Sequence, residues 1–270
     1  MRYLLSLILA IIMMAAAVPA YSQSRGWRGG EVSIEFVSER GRSFLSIPYQ
    51  DFWQGGTHIL KKYLEAKKKE NYGIVIRNMT SERIGVVIAV DGRNIISGKT
   101  SNLHYSENMY IVNAFEHAQY DGWRTASNTV HRFYFTDSTD SYAVRTFSDS
   151  SAMGVIAVAV YRGKERPILL PRQKMLDGTS AAPSPESSAR SKAGAGRDES
   201  AGTGFGDEQY SPAIRVTFEP ERNPVQKILI KYEWREVLCQ KGILDCRHEP
   251  RNRFWDEDEY APFPPGVPRH

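Results

Sequence analysis

Short apolar runs separated by turn signals recur along residues 32 to 161 and predict an all-β protein. In EVSIEFV, Val32, Ile34 and Phe36 alternate with polar neighbours, which is typical of a strand with one buried face. The segment NYGIVIRN repeats this alternation. The denser runs GVVIAV and MGVIAVAVY have no polar face, so they predict central strands buried on both sides. This spacing favours a β-sandwich, jelly-roll or immunoglobulin-like, over βαβ units.

The strand prediction extends over most of the chain. Residues 58–70, HILKKYLEAKKKE, fit either a helical stripe or an edge strand, and we prefer the strand because turn-like residues follow. Asp91-Gly92, directly after GVVIAV, indicates a hairpin turn. The remaining predicted strands are 32–37, 43–47, 72–77, 85–90, 109–112, 130–135, 142–147, 153–161, 214–221 and 227–235.

Between residues 177 and 209 the composition changes to Gly, Ser, Ala and Pro with isolated charges. Such a segment buries too little apolar surface to offset its ordering entropy, so it predicts a disordered linker. The expected domains are a β-sandwich at 23–166, a disordered linker at 167–209 and a short C-terminal β segment at 210–270. We expect that last segment to pack on the sandwich or to form a small satellite.

Residues 1–22 have the pattern of a secretory signal peptide. One charge, Arg2, precedes an apolar run from Leu7 to Val18, and Pro19 and small residues follow. Small residues at Ala20 and Ser22 favour cleavage before Gln23. The alternative is a retained membrane anchor, although the apolar run is short against the roughly 20 residues that a spanning helix needs. We therefore expect a periplasmic or secreted protein with no membrane span after processing.

Cysteine number and net charge refine this expectation. Cys239 and Cys246 are the chain's two cysteines, and an even count in an exported protein favours a disulfide over two free thiols. The net charge is +4 at pH 7. Such mild basicity indicates neither a nucleic-acid partner nor a membrane surface.

No catalytic, cofactor or metal motif is evident. Gly98-Lys99-Thr100 resembles a phosphate-binding loop, but five residues instead of four separate it from Gly92. The histidines lack zinc spacing, and no GxSxG sequence marks a nucleophile. Three acidic side chains cluster in TDSTDSYAVRTFSDSS, where a calcium site is the alternative to ordinary turn residues. They are Asp137, Asp140 and Asp149.

Trp123 and Arg124 are the candidate binding residues. They lie in YDGWRTASN, a polar segment between two predicted strands, where recognition residues concentrate on a sandwich. Trp and Arg are enriched in interaction hot spots, so we expect them to form an exposed anchor. The alternative is that Trp123, like Trp27 and Trp53, closes one end of the core.

Three segments, IVIRNMTSERIGVVIAVDGRNIISGK, YDGWRTASNTVHRFYFTDSTDSYA and SAMGVIAVAVYRGK, together resemble part of exported Gram-negative proteins with no known activity. The resemblance covers roughly residues 57–164 and implies a β domain after a signal peptide, without any catalytic residue. We expect a non-enzymatic protein that binds an envelope or extracellular protein or glycan. The alternatives are a polysaccharide or cell-wall hydrolase using Asp137 or Asp140, and a carbohydrate-binding module using Trp123.

Overall fold

The computed structural model describes residues 32–164 and 200–246. The predicted signal peptide and most of the predicted linker lie outside these residues. Within them the chain forms fourteen strands and two short helices. The strands are β1 Val32–Ser38, β2 Ser46–Gln54, β3 Thr57–Ala66, β4 Asn71–Asn78, β5 Ile84–Val90, β6 Arg93–Asn94, β7 Tyr110–Val112, β8 His117–Tyr120, β9 Gly122–Ala126, β10 Thr129–Asp137, β11 Val155–Arg162, β12 Ala201–Thr203, β13 Glu208–Tyr210 and β14 Gln226–Trp234. The helices are α1 Tyr142–Phe147 and α2 Arg235–Gln240.

The strands form two sheets that face each other, as the all-β sandwich prediction requires. In the first sheet the order is β1-β4-β10-β12, with β8 paired to β4 and with β9 and β13 paired to β10. In the second the order is β2-β3-β14-β11-β5-β6, with β7 paired to β5. All neighbours are antiparallel except β3 and β14, which are parallel. Residues 58–66 therefore belong to a strand, β3, as the sequence analysis predicted. They do not form the sheet edge, because β2 pairs with the outer side of β3 and is itself the edge strand.

The core lies between the sheets and explains the pattern of the apolar runs. Val32, Ile34 and Phe36 on β1 are buried while their neighbours are half-buried, which confirms the alternation. All seven residues of β5 are buried. The outer face of β5 is covered because Leu103 and Met109, from the loop before β7, pack against Val87. The prediction that GVVIAV is buried on both sides is thus confirmed.

The C-terminal segment provides a central strand of the second sheet. β14 lies between β3 and β11, and its side chains Ile228, Ile230 and Tyr232 are fully buried. It is therefore neither a satellite nor an addition to the outside of a finished sandwich. Cys239 and Cys246 follow in and after α2 and form a disulfide with a Cα–Cα distance of 5.6 Å.

Two strand predictions are wrong for local reasons. Residues 142–147 form helix α1, because the Ser141 hydroxyl accepts a hydrogen bond from the backbone N–H of Val144 and caps the helix start. Residues 214–221 alternate like a strand but form no regular strand: only their end pairs, through an isolated bridge between Pro220 and Gly163 and a hydrogen bond from Glu221 N–H to the Arg162 carbonyl at the end of β11. A third prediction, 43–47, is displaced: the regular strand begins at Ser46 and continues to Gln54.

The described end of the predicted linker, residues 200–209, is ordered. It forms β12 and β13, both paired with β10. Glycine is needed at Gly202, since a Cβ there would lie 2.7 Å from Cβ of Ser141. The Gly-rich composition here therefore permits close packing instead of disorder. None of the helices in residues 32–164 and 200–246 is long and apolar enough to cross a membrane.

Candidate functional site

A groove of about 1190 Å³ opens beside β7, at one end of the second sheet. Three segments form its walls: the loop and strand at 105–111, the turn between β9 and β10 at 124–127, and the irregular segment at 212–220. We name residues 211–221 the strap, because they span the distance between β10 and the end of β11.

The strap is held at its two ends. At one end the backbone N–H groups of Ser211 and Ala213 donate to the carbonyls of Asn128 and Ser127, each at 2.8 Å. At the other end Lys164 N–H donates to the Glu219 carbonyl at 2.8 Å. Backbone hydrogen bonds therefore fix both ends of the strap, and its middle lies between them.

The middle of the strap is apolar, exposed and unpaired. The side chains of Ile214 and Val216 are 88% and 45% exposed. No described residue forms a backbone hydrogen bond with residues 214–216. Exposed β-branched side chains on a backbone without hydrogen-bond partners among the described residues are unusual, because β-branched residues are typical of strands that complete a sheet.

Arg124, one of the two predicted binding residues, lies in the groove wall, where it joins the three walls. Its Nε donates to the hydroxyl of Tyr110 at 2.7 Å, and its Nη1 donates to the carbonyls of Ala126, Ser127 and Ser211 at 2.9 to 3.2 Å. Burial raises the pKa of Tyr110, and the Arg124 guanidinium partly offsets that rise. Because so many of its donors are engaged within the protein, Arg124 positions the groove walls.

Trp123, the other predicted binding residue, is in the core. Its side chain is 2% exposed, its Nε1 donates to the carbonyl of Gly204 at 3.0 Å, and its ring packs edge-on against Phe133. The expectation of an exposed anchor at Trp123 is therefore corrected. Since successive strand residues point to opposite faces, Trp123 points into the sandwich and Arg124 points into the groove.

Charge in the groove is predominantly positive. Arg83, Arg124, Lys164 and Arg215 line it, against two carboxylates. One carboxylate, Glu107, accepts hydrogen bonds from the backbone N–H groups of Asn102 and His104 and so holds its own loop. Apolar side chains, including Ile96, Met109, Ile111 and Phe218, line the same groove. The groove therefore combines apolar contact area with a modest excess of positive charge.

The clustered aspartates do not form a site with one another. Asp137 pairs with Lys68 at 2.6 Å, and Asp149 pairs with the buried Arg93 at 2.5 Å. Hydrogen bonds from Ser151 and the charge of Arg93 lower the pKa of Asp149 despite its desolvation. In the described part of the chain no three His, Cys, Asp or Glu side chains are placed to hold a metal ion.

The predicted hairpin turn contains a buried carboxylate that sequence reasoning did not identify. Asp91 and Gly92 have φ angles of 48° and 77°, and the turn joins β5 to β6 as a two-residue hairpin. Asp91 is 1% exposed, and its Oδ1 accepts hydrogen bonds from Gly154 N–H at 2.8 Å and the Tyr232 hydroxyl at 2.5 Å. Its Oδ2 accepts from Thr203 N–H at 2.8 Å.

The Asp91 network is structural. The Thr203 hydroxyl lies 2.8 Å from the hydroxyl of Tyr72 and 2.9 Å from that of Tyr232, so the network joins both sheets. Burial raises the pKa of Asp91 to about 6, against the opposing effect of its three hydrogen bonds. The pair Asp91-Gly92 was a signal for a turn, but nothing in the sequence indicated that the side chain is buried.

Comparison with known proteins finds no matching family model, no matching curated protein and no matching solved structure.

Proposed function

We propose that this chain is a non-enzymatic exported protein that binds another envelope or extracellular macromolecule in the groove beneath the strap. The observation that supports it best is the strap itself. Its apolar residues Ile214 and Val216 are exposed, and its backbone at 214–216 is unpaired among the described residues. Both features describe a surface that is complete only when another chain covers it.

A polypeptide in extended conformation fits this groove best. The strap sequence IRVTF alternates apolar and polar residues, and an added strand would satisfy its free backbone groups while filling pockets with alternate side chains. The excess of arginine and lysine favours a segment with acidic residues. The preferred partner is therefore an acidic, extended segment of an envelope or extracellular protein.

The two alternatives receive no support from the residues on which they were based. Neither Asp137 nor Asp140 lines the groove, although both were the candidate acid and base of a hydrolase. Trp123 is buried, so it offers no platform for a sugar ring in a carbohydrate-binding module. Among the tryptophans that the structure describes, Trp53 is the exposed one, at 52%, and it lies on β2, away from the groove.

Changing Ile214 and Val216 together to Asp should strongly weaken capture of the groove ligand. The substitution removes apolar contacts and adds charges opposite an acidic ligand, so we expect affinity to fall by about 2 kcal/mol or more, roughly 30-fold. Folding should be unaffected because both side chains are exposed. The measurement is affinity capture from envelope extract with wild-type and variant protein, followed by mass spectrometry and titration of the retained protein.

The matched control is Phe115→Asp. Phe115 is also an exposed apolar residue, at 72%, but it does not line the groove. A ligand retained by wild type and by Phe115→Asp but lost with the strap variant supports the groove. Equal retention by all three proteins, with unchanged thermal melts, would assign binding to another surface.

Export is tested separately. The exported chain should begin at Gln23, because Ala20 and Ser22 provide the small residues that signal peptidase requires. The disulfide between Cys239 and Cys246 is compatible with an oxidising compartment. N-terminal sequencing of the protein recovered from the periplasm or medium checks this, and an intact Met1 on that protein would contradict it.

A further inference from the structure

β2 is an exposed sheet edge at the end of the second sheet opposite the groove. It pairs with β3 on one side and with no described strand on the other. Every residue of β2 except Ile47 is exposed. Three aromatic side chains are among them: Tyr49 is 55% exposed, Phe52 37% and Trp53 52%. A long edge strand with exposed aromatic residues is a template for pairing with another strand.

The two halves of β2 differ in what they offer a partner. Pro48 lacks an N–H, and the register with β3 shifts between Pro48 and Gln50, so the first half is interrupted by two features that discourage edge pairing. From Gln50 to Gln54 the register with β3 is regular. The half that is available for pairing is therefore the five residues Gln50–Gln54, with Phe52 at its centre.

Charge on this half permits a strand to pair with an identical strand. Asp51 is the one ionisable side chain in QDFWQ, and it lies 2.5 Å from Nε2 of His58. When two copies pair antiparallel about Phe52, Asp51 of one copy lies opposite Trp53 of the other, so no two like charges are directly opposite each other. An edge strand that excludes self-association normally has a lysine or an inward-pointing charge at its centre; on β2 that position is Phe52, and the nearby cation, Lys61 Nζ at 5.6 Å from the Phe52 ring centroid, belongs to β3 inside the edge.

We propose that β2 pairs with β2 of a second copy of this chain, antiparallel, about a two-fold axis at Phe52. In this register Phe52 lies opposite Phe52 of the second copy, Asp51 opposite Trp53, and Gln50 opposite Gln54. A two-fold axis closes the interface, because the same five residues are used on both sides. Cross-strand aromatic pairs are among the stabilising pairs of antiparallel sheets.

The pairing joins two sheets into one continuous sheet and covers the exposed edge. Since the groove lies near β7, at the other end of the sheet, the dimer would present two grooves without altering either. Two grooves on one particle would raise the apparent affinity for a ligand with repeated sites. That consequence rests on the proposed function, whereas the dimer itself does not.

The oligomeric state tests the interface. The processed protein should be dimeric by light scattering coupled to gel filtration, and Phe52→Lys should shift it to monomer by placing two positive charges opposite each other, raising the dissociation constant about tenfold or more. The control Ile214→Lys changes an exposed apolar residue of the strap and should remain dimeric. Wild type that stays monomeric from about 1 µM to about 1 mM would overturn the proposal.

Cross-linking tests the register and covers the case in which Phe52→Lys disturbs the hairpin. Phe52→Cys should form an intermolecular disulfide under mild oxidation, because directly opposite residues have Cβ atoms about 4.5 to 5.5 Å apart. Ser46→Cys, in the interrupted half, should not. A dimer that cross-links at Ser46, or persists in well-folded Phe52→Lys, uses another surface and overturns the proposal. These results do not depend on whether the strap variant loses its ligand.

Discussion

Replacing Trp123 by Ala is expected to lower the free energy of unfolding by about 3 to 5 kcal/mol. The indole is 2% exposed, packs against Phe133 at a centroid distance of 5.2 Å and against Tyr142 at 4.6 Å, and donates to the Gly204 carbonyl. Its removal leaves a cavity and an unsatisfied carbonyl. In a chain of this size the melting temperature should fall by roughly 10 °C. Thermal melts and urea titrations of the processed protein measure both quantities.

The matched control for Trp123→Ala is Trp53→Ala. Trp53 has the same side chain but is 52% exposed, with one stacking contact to His58 at 5.0 Å. Its replacement should cost less than about 1 kcal/mol, as expected for an exposed position. Similar losses for the two variants would contradict the placement of Trp123 in the core, and a small loss for Trp123→Ala alone would restore the exposed anchor.

The second large effect is a pH dependence caused by Asp91. Burial raises its pKa from 3.8 to about 6. Between these values the folded protein binds a proton that the unfolded chain has already released, so the contribution of Asp91 to stability decreases as pH rises from about 4 to about 6. The decrease amounts to about 3 kcal/mol, on the order of 1.4 kcal/mol for each pH unit of the shift. Above that window Asp91 adds no further change.

Asp91→Asn isolates this effect, because the amide keeps the shape and does not titrate. In the variant the amide NH₂ takes the place of Oδ2, so it cannot accept the hydrogen bond that Thr203 N–H donates to Asp91. The variant should therefore be less stable than wild type near pH 4. The decisive quantity is the stability of wild type minus that of the variant, measured by urea unfolding at several pH values from 4 to 7.5. This difference should decrease by about 3 kcal/mol across that range. A difference that stays level or rises with pH would contradict the raised pKa.

Local sequence patterns predicted the structure correctly where each pattern is compatible with only one local conformation. The alternation in EVSIEFV predicts a half-buried strand, and β1 has that burial; NYGIVIRN is also a strand, but residues 72–76 are all buried because β4 lies between β1 and β10. Asp91-Gly92 requires a tight hairpin, since both residues adopt positive φ. The cysteine pair Cys239 and Cys246 is bonded in the structure. In these cases neighbouring residues alone determine the geometry.

Local patterns failed where a cap or a close approach outweighed the composition. In residues 142–147 strand-forming side chains are helical, because the Ser141 hydroxyl satisfies an N–H at the helix start. At Gly202 the glycine allows β12 to approach Ser141, although the same composition predicts disorder. Both outcomes depend on a partner that composition does not specify.

The sequence by itself determined that the chain is mostly β, where most strands lie and which strand faces are apolar, because side-chain alternation is a local property. Only the tertiary structure decided that β14 enters the centre of the second sheet, that residues 214–216 have no backbone partner among the described residues beside a groove, and that Trp123 faces the core while Arg124 faces the groove. It also decided that Asp91 is buried against Tyr232. These features join distant residues, 141 positions apart in the contact of Asp91 with Tyr232 and still farther apart where β14 pairs with β3, and no local pattern specifies which distant segments become neighbours.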